Sequence, residues 1–371
     1  MVLPVYFKLE PKERLEELYD FEEELRRLKA GYEEARVVAV LGLRRMGKSS
    51  LVKTFLNAYQ IPHIYVDLRR ASAEQGRATK RAVWRELGRA LSAFLERSGG
   101  LGRRLARRLA KIKGVSVSVE PLSVSLEWGR KAPALADLLD AVNSAAEEEG
   151  VRAVLALDEV QELRGVVDVA SLLAYVYDNL PHLVVVLAGS QVGLVYDVLR
   201  LDDPESPMYG RAVYEVRLRR LTPAEALDFL ERGFAMAGVA VAREELERAV
   251  EALDGIIGWL TYYGWARVTG AKTLEEIVET AARQEAAELR RLFAKSRAER
   301  RYRAILKAAA IRPMRWSELK RAVEVEEGAE VDDHNFTQLL HNLEKLGLLE
   351  RREGRYAIPD PVVRAAVEKY L

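Results

Sequence analysis

The sequence contains no cysteine among its 371 residues and only four histidines. The lack of cysteine excludes disulfide bonds, thiolate nucleophiles and cysteine-ligated zinc or iron–sulfur sites. His334 and His341 share one predicted helix, but the sequence offers no third metal ligand for that pair. We interpret the histidines as ordinary polar residues, and any catalysis must rely on other nitrogen and oxygen groups.

The sequence also lacks an apolar run of the roughly 18 residues that a membrane-spanning helix needs. Its first residues, MVLPVYFKLEPKERLEEL, do not show the basic and then apolar pattern of a signal peptide. The net charge of +1 argues against a wholly basic coat for nucleic acid, although local basic patches are compatible with it. We predict a cytoplasmic protein without a membrane partner.

Short apolar runs alternate with helical patterns in the first 222 residues. Continuous valine-rich runs are typical of parallel strands that are buried on both faces. We predict such strands at residues 37–41, 64–68, 151–157, 183–188 and 213–218. The fold class is therefore α/β, and the length of the chain favours two or three domains over one.

Two further features belong to this first domain, which we predict to span residues 1–222. The apolar spacing of residues 11–30 predicts one amphipathic helix. The basic stretch LGRRLARRLAKIKG is followed by alternating Val, Ser and Leu residues, which predicts a helix and a β-hairpin inserted at about residues 101–129. The basic helix is either a nucleic-acid patch or a solvated helix face.

The remainder of the chain is predominantly helical. Thr222 is a predicted cap with Pro223 at the first helical position, and residues 223–296 form a predicted helical lid domain. Residues 297–371 contain helices at 301–311, 316–325 and 332–346, and then the hairpin LLERREGRYAI. That order predicts a winged-helix domain.

The segment GLRRMGKSS satisfies the Walker A spacing, with a strand before it and a helix after it. Glycines in this motif let backbone N–H groups wrap phosphates, the lysine bridges the outer phosphates and the serine binds magnesium. The predicted cofactors are therefore ATP or ADP and Mg²⁺. The predicted nucleotide-binding residues of this segment are Gly42, Leu43, Arg44, Arg45, Met46, Gly47, Lys48, Ser49 and Ser50.

Polar residues follow the later strands where the strand ends meet. Asp158 suits a magnesium ligand opposite Ser49, and Glu159 suits a general base that activates water. Ser190 and Gln191 are predicted to sense the terminal phosphate, or else to cap a helix. Arg211 is a candidate for neutralising charge in the transition state, with an ordinary surface role as the alternative.

The combination of GLRRMGKSS, LALDEVQEL, LAGSQ, PMYGR and DGIIGWLTYYG resembles the archaeal ATPase family, in the signalling (STAND) branch of the AAA+ superclass. The resemblance covers roughly residues 10–300 and the winged helix. It implies a P-loop NTPase sheet of the AAA+/ASCE type, with an extra strand between the Walker A and Walker B strands, a helical lid and slow ATP-driven switching. It assigns catalysis to Lys48, Glu159 and Arg211, magnesium to Ser49 and Asp158, and phosphate sensing to Ser190 and Gln191.

The sequence departs from the family pattern at two places. Phe21-Glu22 stand where the family usually has an arginine–glutamate pair near the adenine. Ile257, followed by Gly258, stands where related ATPases often place a proline in the lid. The residues that contact adenine therefore stay open, and Trp259 is either a lid contact or a core residue.

The winged helix has two candidate partners, DNA and protein. The outward positions of its third helix are Asn335, Gln338, Asn342 and Lys345, and its wing carries Arg351, Arg352 and Arg355. Asparagine and glutamine can read adenine edges, whereas Asp332 and Asp333 at the start of that helix repel phosphate. Both partners remain open, as does the oligomeric state.

We predict a magnesium-dependent, ATP-hydrolysing molecular switch that couples nucleotide state to the winged helix. The alternative is a module that binds ATP or ADP tightly with little turnover and acts as a scaffold for DNA or protein. A P-loop kinase is a third hypothesis, against which Glu159 argues, because a kinase needs no water-activating base there.

Overall fold

The computed structural model of the chain describes residues 5–73, 76–120, 122–127, 129, 132–189, 195, 198–201, 203–294, 296 and 298–371. The strands of the first domain lie in a parallel sheet and in a separate hairpin. In chain order they are β1 Val37–Leu41, β2 His63–Asp67, β3 Val115–Val119, β4 Leu122–Leu126, β5 Ala153–Asp158, β6 Leu183–Gly189 and β7 Tyr214–Arg217.

The parallel sheet has the strand order β2-β5-β6-β1-β7. Every residue of β1, β5 and β6 is buried, because helices cover both faces of the sheet. β6 lies between β1, which leads into the Walker A segment, and β5, which ends at Asp158. The predicted α/β sheet with an extra strand between these two is confirmed.

Helices connect the strands of this sheet. In chain order they are α1 Glu22–Glu34, α2 Lys48–Ala58, α3 Arg69–Ser72, α4 Lys80–Arg97, α5 Gly99–Leu109, α6 Leu135–Glu148 and α7 Val169–Asn179. The inserted helix α5 buries its leucines, while Arg104 and Arg108 form ion pairs with Glu149 and Glu148 at the end of α6. β3 and β4 pair in antiparallel fashion, as the alternation of their residues predicts.

The prediction of one continuous helix over residues 11–30 is wrong in its first half. Leu15–Glu17 is a single 3-10 turn, and Asp20 has a left-handed backbone with φ of 54°, so α1 begins only at Glu22. The Tyr19 hydroxyl donates to Asp228 at 2.6 Å, which ties this segment to a later helix. The apolar spacing reflects packing against that helix and the phosphate loop, which sequence periodicity cannot distinguish from helical packing.

Four helices follow the sheet: α8 Pro223–Ala237, α9 Arg243–Leu253, α10 Ile257–Thr269 and α11 Leu274–Phe293. Thr222 and Glu225 form a capping box at the start of α8, with Pro223 in the first helical position. The apolar faces of these four helices pack on one face of the sheet and form a single core with it, which includes Phe229, Trp259 and Tyr263.

The C-terminal region has winged-helix order and its own hydrophobic core. Its elements are α12 Glu299–Ile311, β8 Met314–Arg315, α13 Trp316–Glu327, α14 Asp333–Lys345, β9 Glu350–Arg352, β10 Arg355–Ala357 and α15 Pro361–Tyr370. The three strands form a sheet in the order β8-β10-β9. This confirms the predicted winged helix.

Helix α15 was not predicted from the sequence, although Asp360-Pro361 is a strong helix start. The Asp360 carboxylate accepts from the backbone N–H of Val362 at 2.8 Å. Buried alanines join α15 to α11, namely Ala366 on α15 and Ala282 and Ala286 on α11. In the part of the chain that the structure describes, no helix has the length and apolar character to cross a membrane.

Candidate functional site

The Walker A segment leaves the carboxyl end of β1 and enters α2 at Lys48. Gly47 has φ of 86°, and a Cβ added there would lie 2.9 Å from Cζ of the Phe21 ring. Glycine is required at this position by both conformation and space. The backbone before α2 is thereby held in the tight turn that presents the first N–H groups of the helix.

Lys48 lies beneath this loop and is only 6% exposed. Its Nζ donates to the carbonyl oxygens of Gly42 at 2.9 Å and Leu43 at 2.6 Å. Burial lowers the pKa of Lys48 to about 8, partly offset by the carboxylates of Glu159 and Asp158. A buried ammonium beside this loop is suited to holding the outer phosphates of a nucleotide.

Asp158 ends β5 and is 2% exposed. Its Oδ2 accepts hydrogen bonds from Ser49 Oγ at 2.6 Å and from the Tyr65 hydroxyl at 2.6 Å. Burial raises the pKa of Asp158, and these two hydrogen bonds oppose the rise. The structure thus brings together Ser49 and Asp158, two oxygen ligands of the kind that Mg²⁺ prefers.

Glu159 has a left-handed backbone with φ of 57°, which is uncommon for a residue with a Cβ. Its N–H donates to Asp158 Oδ1 at 3.0 Å, and its carboxylate accepts from the Gln161 amide. Arg69 also approaches both acids, with Nη2 at 3.7 Å from Asp158 and Nη1 at 3.7 Å from Glu159. The two acids therefore point into one small charged cluster at the sheet edge.

Tyr65 and Arg69 belong to the site but were not predicted from the sequence. Both come from β2 or just after it, and β2 pairs with β5 so that Asp67 lies opposite Asp158. The sequence feature that could have identified them is the polar segment at the end of β2, because the carboxyl ends of neighbouring parallel strands meet at one edge of a sheet. Without the strand order, nothing linked these residues to the Walker motifs.

A cleft of about 660 Å³ opens above the loop. Its walls include the N-terminal residues Tyr6, Lys12 and Phe21 and the start of α10, Ile257 and Gly258. The backbone N–H of Lys12 donates to Ser50 Oγ at 3.1 Å, which fixes the N-terminal segment on the loop. Phe21, one of the departures from the family pattern, therefore lines the cleft beside Gly47.

The loop contacts the lid through Arg45. Gly258 donates its N–H to the Arg45 carbonyl at 2.9 Å, and the Arg45 guanidinium lies 3.8 Å from the centre of the Trp259 ring. A Cβ at Gly258 would lie 2.7 Å from both Cβ and O of Arg45. Gly258 is therefore a close-approach residue, and Trp259 is a buried lid contact rather than a core residue alone.

Other residues of the same loop contact α11 and the winged helix. Arg44 forms an ion pair with Glu288 on α11, and Arg45 lies 3.8 Å from Glu285 on that helix. Leu43 Cδ2 would lie 3.3 Å from a Cβ at Gly347, which follows α14 in the winged helix. The buried Met46 joins the core beneath the loop. The loop therefore touches the sheet, the lid and the winged helix.

The remaining predicted residues are Ser190, Gln191 and Arg211. Ser190 and Gln191 fall outside the described residues. Arg211 donates from Nη2 to Asp178 at 2.6 Å and from Nε at 3.2 Å. It is not among the described residues that line the cleft. Its candidate role in neutralising transition-state charge remains a prediction.

Comparison with known families matches two models. Residues 18–262 match the model of an ATPase domain predominantly from Archaea. Residues 296–358 match the C-terminal winged helix-turn-helix domain of MCM proteins. None of the curated proteins matches the chain.

Two solved structures of ATPase-fold proteins are also similar to this chain. The Walker-type ATPase PABY2304 of Pyrococcus abyssi is 33% identical with a TM-score of 0.81, covering 98% of this chain and 99% of that one. The ORC2 protein of Aeropyrum pernix, solved as ADPNP–ADP complexes, is 16% identical with a TM-score of 0.61, covering 98% and 95%. At that identity the second similarity shows the fold alone.

Proposed function

This chain belongs to the family of ATPase domains found predominantly in Archaea, and we propose that it is a magnesium-dependent molecular switch. In this proposal, ATP hydrolysis to ADP and phosphate is slow and changes the position of the lid and winged helix. The observation that carries it is the convergence of Lys48, Ser49, Asp158 and Glu159 at one sheet edge, beneath a loop that also contacts the lid.

Each of these side chains has a proposed role that its environment supports. When bound, MgATP would supply the phosphoanhydride bond to be broken and a metal ion coordinated to its phosphates. Lys48 would hold the phosphate oxygens with its ammonium, and the Ser49 hydroxyl and the Asp158 carboxylate would hold the metal. Glu159 would orient a water and accept its proton as the water oxygen bonds to the terminal phosphorus and ADP leaves. Arg69, at 3.7 Å from both acids, is placed to position them.

The switching part of the proposal rests on the contacts made by Leu43, Arg44 and Arg45. A loop that grips phosphate and also touches the lid and the winged helix can report nucleotide state to both. We propose that residues 1–222, 223–296 and 297–371 act as core, lid and winged-helix domains. The winged helix then presents its surface to DNA or to a protein partner.

The test is steady-state phosphate release from ATP and Mg²⁺ by the wild type and Glu159→Gln, each with and without duplex DNA. We expect turnover by the wild type, and a loss of about 10²–10⁴-fold in Glu159→Gln with nucleotide binding retained. Stimulation by DNA would identify DNA as the partner. Tight ADP binding without phosphate release would instead favour the scaffold module, and phosphate transfer only to an added acceptor would favour a kinase.

Small-angle scattering with ATP analogue and with ADP tests the switch separately. Identical profiles in the two states would refute domain movement while leaving hydrolysis intact.

For Arg211, we propose a role across a subunit interface, since its own chain pairs it with Asp178. Mixing Lys48→Ala and Arg211→Ala chains should then restore phosphate release; no rescue would contradict this role.

A further inference from the structure

Tyr65 lies in the middle of β2, on the face of the sheet that packs against α2. The residue opposite it on β5 is Ala156, and both belong to the core that contains the buried residues of α2. Side chains two residues apart on a strand share a face, so Asp158 follows Ala156 on the same face. Because alanine has no atoms beyond Cβ, there is room for the Tyr65 ring to extend towards Asp158, and its hydroxyl lies 2.6 Å from Oδ2.

The Asp158 carboxylate accepts hydrogen bonds at both of its oxygens. Oδ1 accepts from the Glu159 N–H at 3.0 Å, and Oδ2 accepts from Ser49 Oγ and the Tyr65 hydroxyl, each at 2.6 Å. A carboxylate can only accept, so both hydroxyl groups donate to it. Ser49 and Glu159 also have roles of their own in the proposed reaction. Tyr65 contributes to the site through its bond to Asp158.

Other tyrosines of the chain donate to acids that are much more exposed. Tyr19 donates to Asp228 at 2.6 Å, and Tyr263 donates to Glu245 at 2.9 Å. The side chains of these two acids are 41% and 22% exposed, so water can replace the tyrosine as a donor. Asp158 is 2% exposed, and the loss of a donor to a buried oxygen is costly because water does not replace it readily.

The Tyr65 hydroxyl approaches Asp158 from a fixed direction. Pairing with β5 holds its backbone, and Lys53 Nζ lies 5.3 Å from the centre of its ring while donating to Glu13 at 3.0 Å. On another side of the carboxylate, Arg69 Nη2 lies 3.7 Å from Oδ2. Without the hydroxyl, Asp158 could turn towards this guanidinium, which would then compete with a metal ion for the carboxylate.

We propose that Tyr65 is a positioning residue for magnesium, because its hydroxyl holds the Asp158 carboxylate in one orientation beside Ser49. Hydrogen bonds of this kind orient metal ligands in many proteins, and the loss of one typically lowers metal affinity about 10–100-fold. The inference rests on the proposed function, since it takes Ser49 and Asp158 as the groups that hold the metal. It adds a residue from outside both Walker motifs, which the pairing of β2 with β5 brings to the site.

The test compares the affinity of the full chain for the non-hydrolysable ATP analogue ADPNP in Mg²⁺ and in EDTA, measured by isothermal titration calorimetry. The ratio of the two affinities gives the contribution of the metal to binding. Tyr65→Phe keeps the ring and removes only the hydroxyl. We expect this variant to lower the ratio about 10-fold, with the affinity in EDTA unchanged from the wild type.

The matched control is Tyr175→Phe, which removes another tyrosine hydroxyl bound to a carboxylate. Tyr175 on α7 donates to Asp140 at 2.7 Å, and it is not among the described residues that line the cleft. This variant should have the wild-type ratio. Circular dichroism without nucleotide checks that both variants are folded.

Equal losses of affinity with and without the metal in Tyr65→Phe would leave the ratio unchanged and would overturn the proposal, because the hydroxyl would then have a structural role only. An equal fall of the ratio in Tyr175→Phe would also contradict it, since the effect would not depend on contact with Asp158. A wild-type affinity that does not respond to Mg²⁺ would refute the magnesium part of the proposed function, and the role of Tyr65 with it. The wild type therefore tests the proposed function, and the two variants test this inference.

Discussion

The two ends of the phosphate loop contact different parts of the molecule. At its C-terminal end, Lys48 and Ser49 turn inward to the carbonyls of the loop and to Asp158. At its N-terminal end, Leu43, Arg44 and Arg45 turn outward to the winged helix, α11 and Trp259. In the first group, the inward end, Lys48 is buried and Ser49 half-buried beside the two acids, whereas in the second, the outward end, Arg44 and Arg45 are exposed and join the core to the lid.

This difference explains why the Walker A pattern fixes some positions and leaves others free. Only the glycines, the lysine and the hydroxyl residue contribute to phosphate and metal binding, so the four intervening positions carry no chemical requirement. In this chain those free positions hold an ion pair, a cation–π contact and a lid hydrogen bond. The two ends can therefore be altered separately.

The largest effect on activity should come from removing the lysine of the inward end. Lys48→Ala deletes the buried ammonium, and we expect phosphate release to fall about 10²–10³-fold with loss of ADP binding. Lys29→Ala on α1 is the control, since Lys29 is an exposed residue beside Glu33 and Tyr59 and is not among the described residues that line the cleft. Retained turnover in Lys48→Ala would remove the basis for the distinction between the two ends.

A smaller effect should come from separating the lid from the outward end. Gly258→Ala places a methyl 2.7 Å from the Arg45 carbonyl and should lower the free energy of unfolding by about 1–3 kcal/mol. Gly100→Ala is the control, because its new methyl meets only the flexible Glu149 carboxylate. Thermal unfolding measures both. If both variants have wild-type stability, the close approach is not a constraint.

The inward end should also respond to pH. The pKa of Lys48, lowered to about 8 by burial, means that the lysine loses its charge as pH rises through 8. Bound phosphates favour the charged form, so ADP affinity should fall above pH 8 by up to about tenfold per pH unit. Titration calorimetry between pH 7 and 9.5 measures this. Lys48→Arg, which does not titrate in this range, should flatten the profile.

The smallest effect should come from the exposed ion pair of the outward end. Arg44 and Glu288 are 48% and 44% exposed, so their interaction should contribute less than about 1 kcal/mol. A double-mutant cycle of Arg44→Ala and Glu288→Ala, repeated at high salt, measures it. A coupling well above that value, or one that salt leaves unchanged, would show that the outward end is as rigid as the inward one.

The sheet and the inward end were predictable from sequence because their patterns are local. The strand at residues 37–41 was predicted at its observed bounds, since burial on both faces produces an unbroken valine-rich run. The pairing of Ser49 with Asp158 followed from two motifs at strand ends. The catalytic roles of Glu159 and Arg211 stay predictions.

The rest depended on contacts between distant parts of the chain. Arg69 and Tyr65 reach Asp158 only because β2 lies beside β5 in the sheet. Tyr19 meets Asp228 more than 200 residues later, so the spacing of residues 11–30 looked helical where the chain turns. The lid contacts of Arg44 and Arg45 occupy positions that no motif constrains.

The alanine contact between α11 and α15 has a mechanical consequence. Ala282, Ala286 and Ala366 are almost fully buried and have no side-chain rotamers with which to repack. This contact leaves little room for the two helices to shift relative to each other, because no flexible side chain lies between their backbones. We therefore expect that a tilt of α11 at Glu285 and Glu288 would move α15 with it, so that the winged helix would follow the lid.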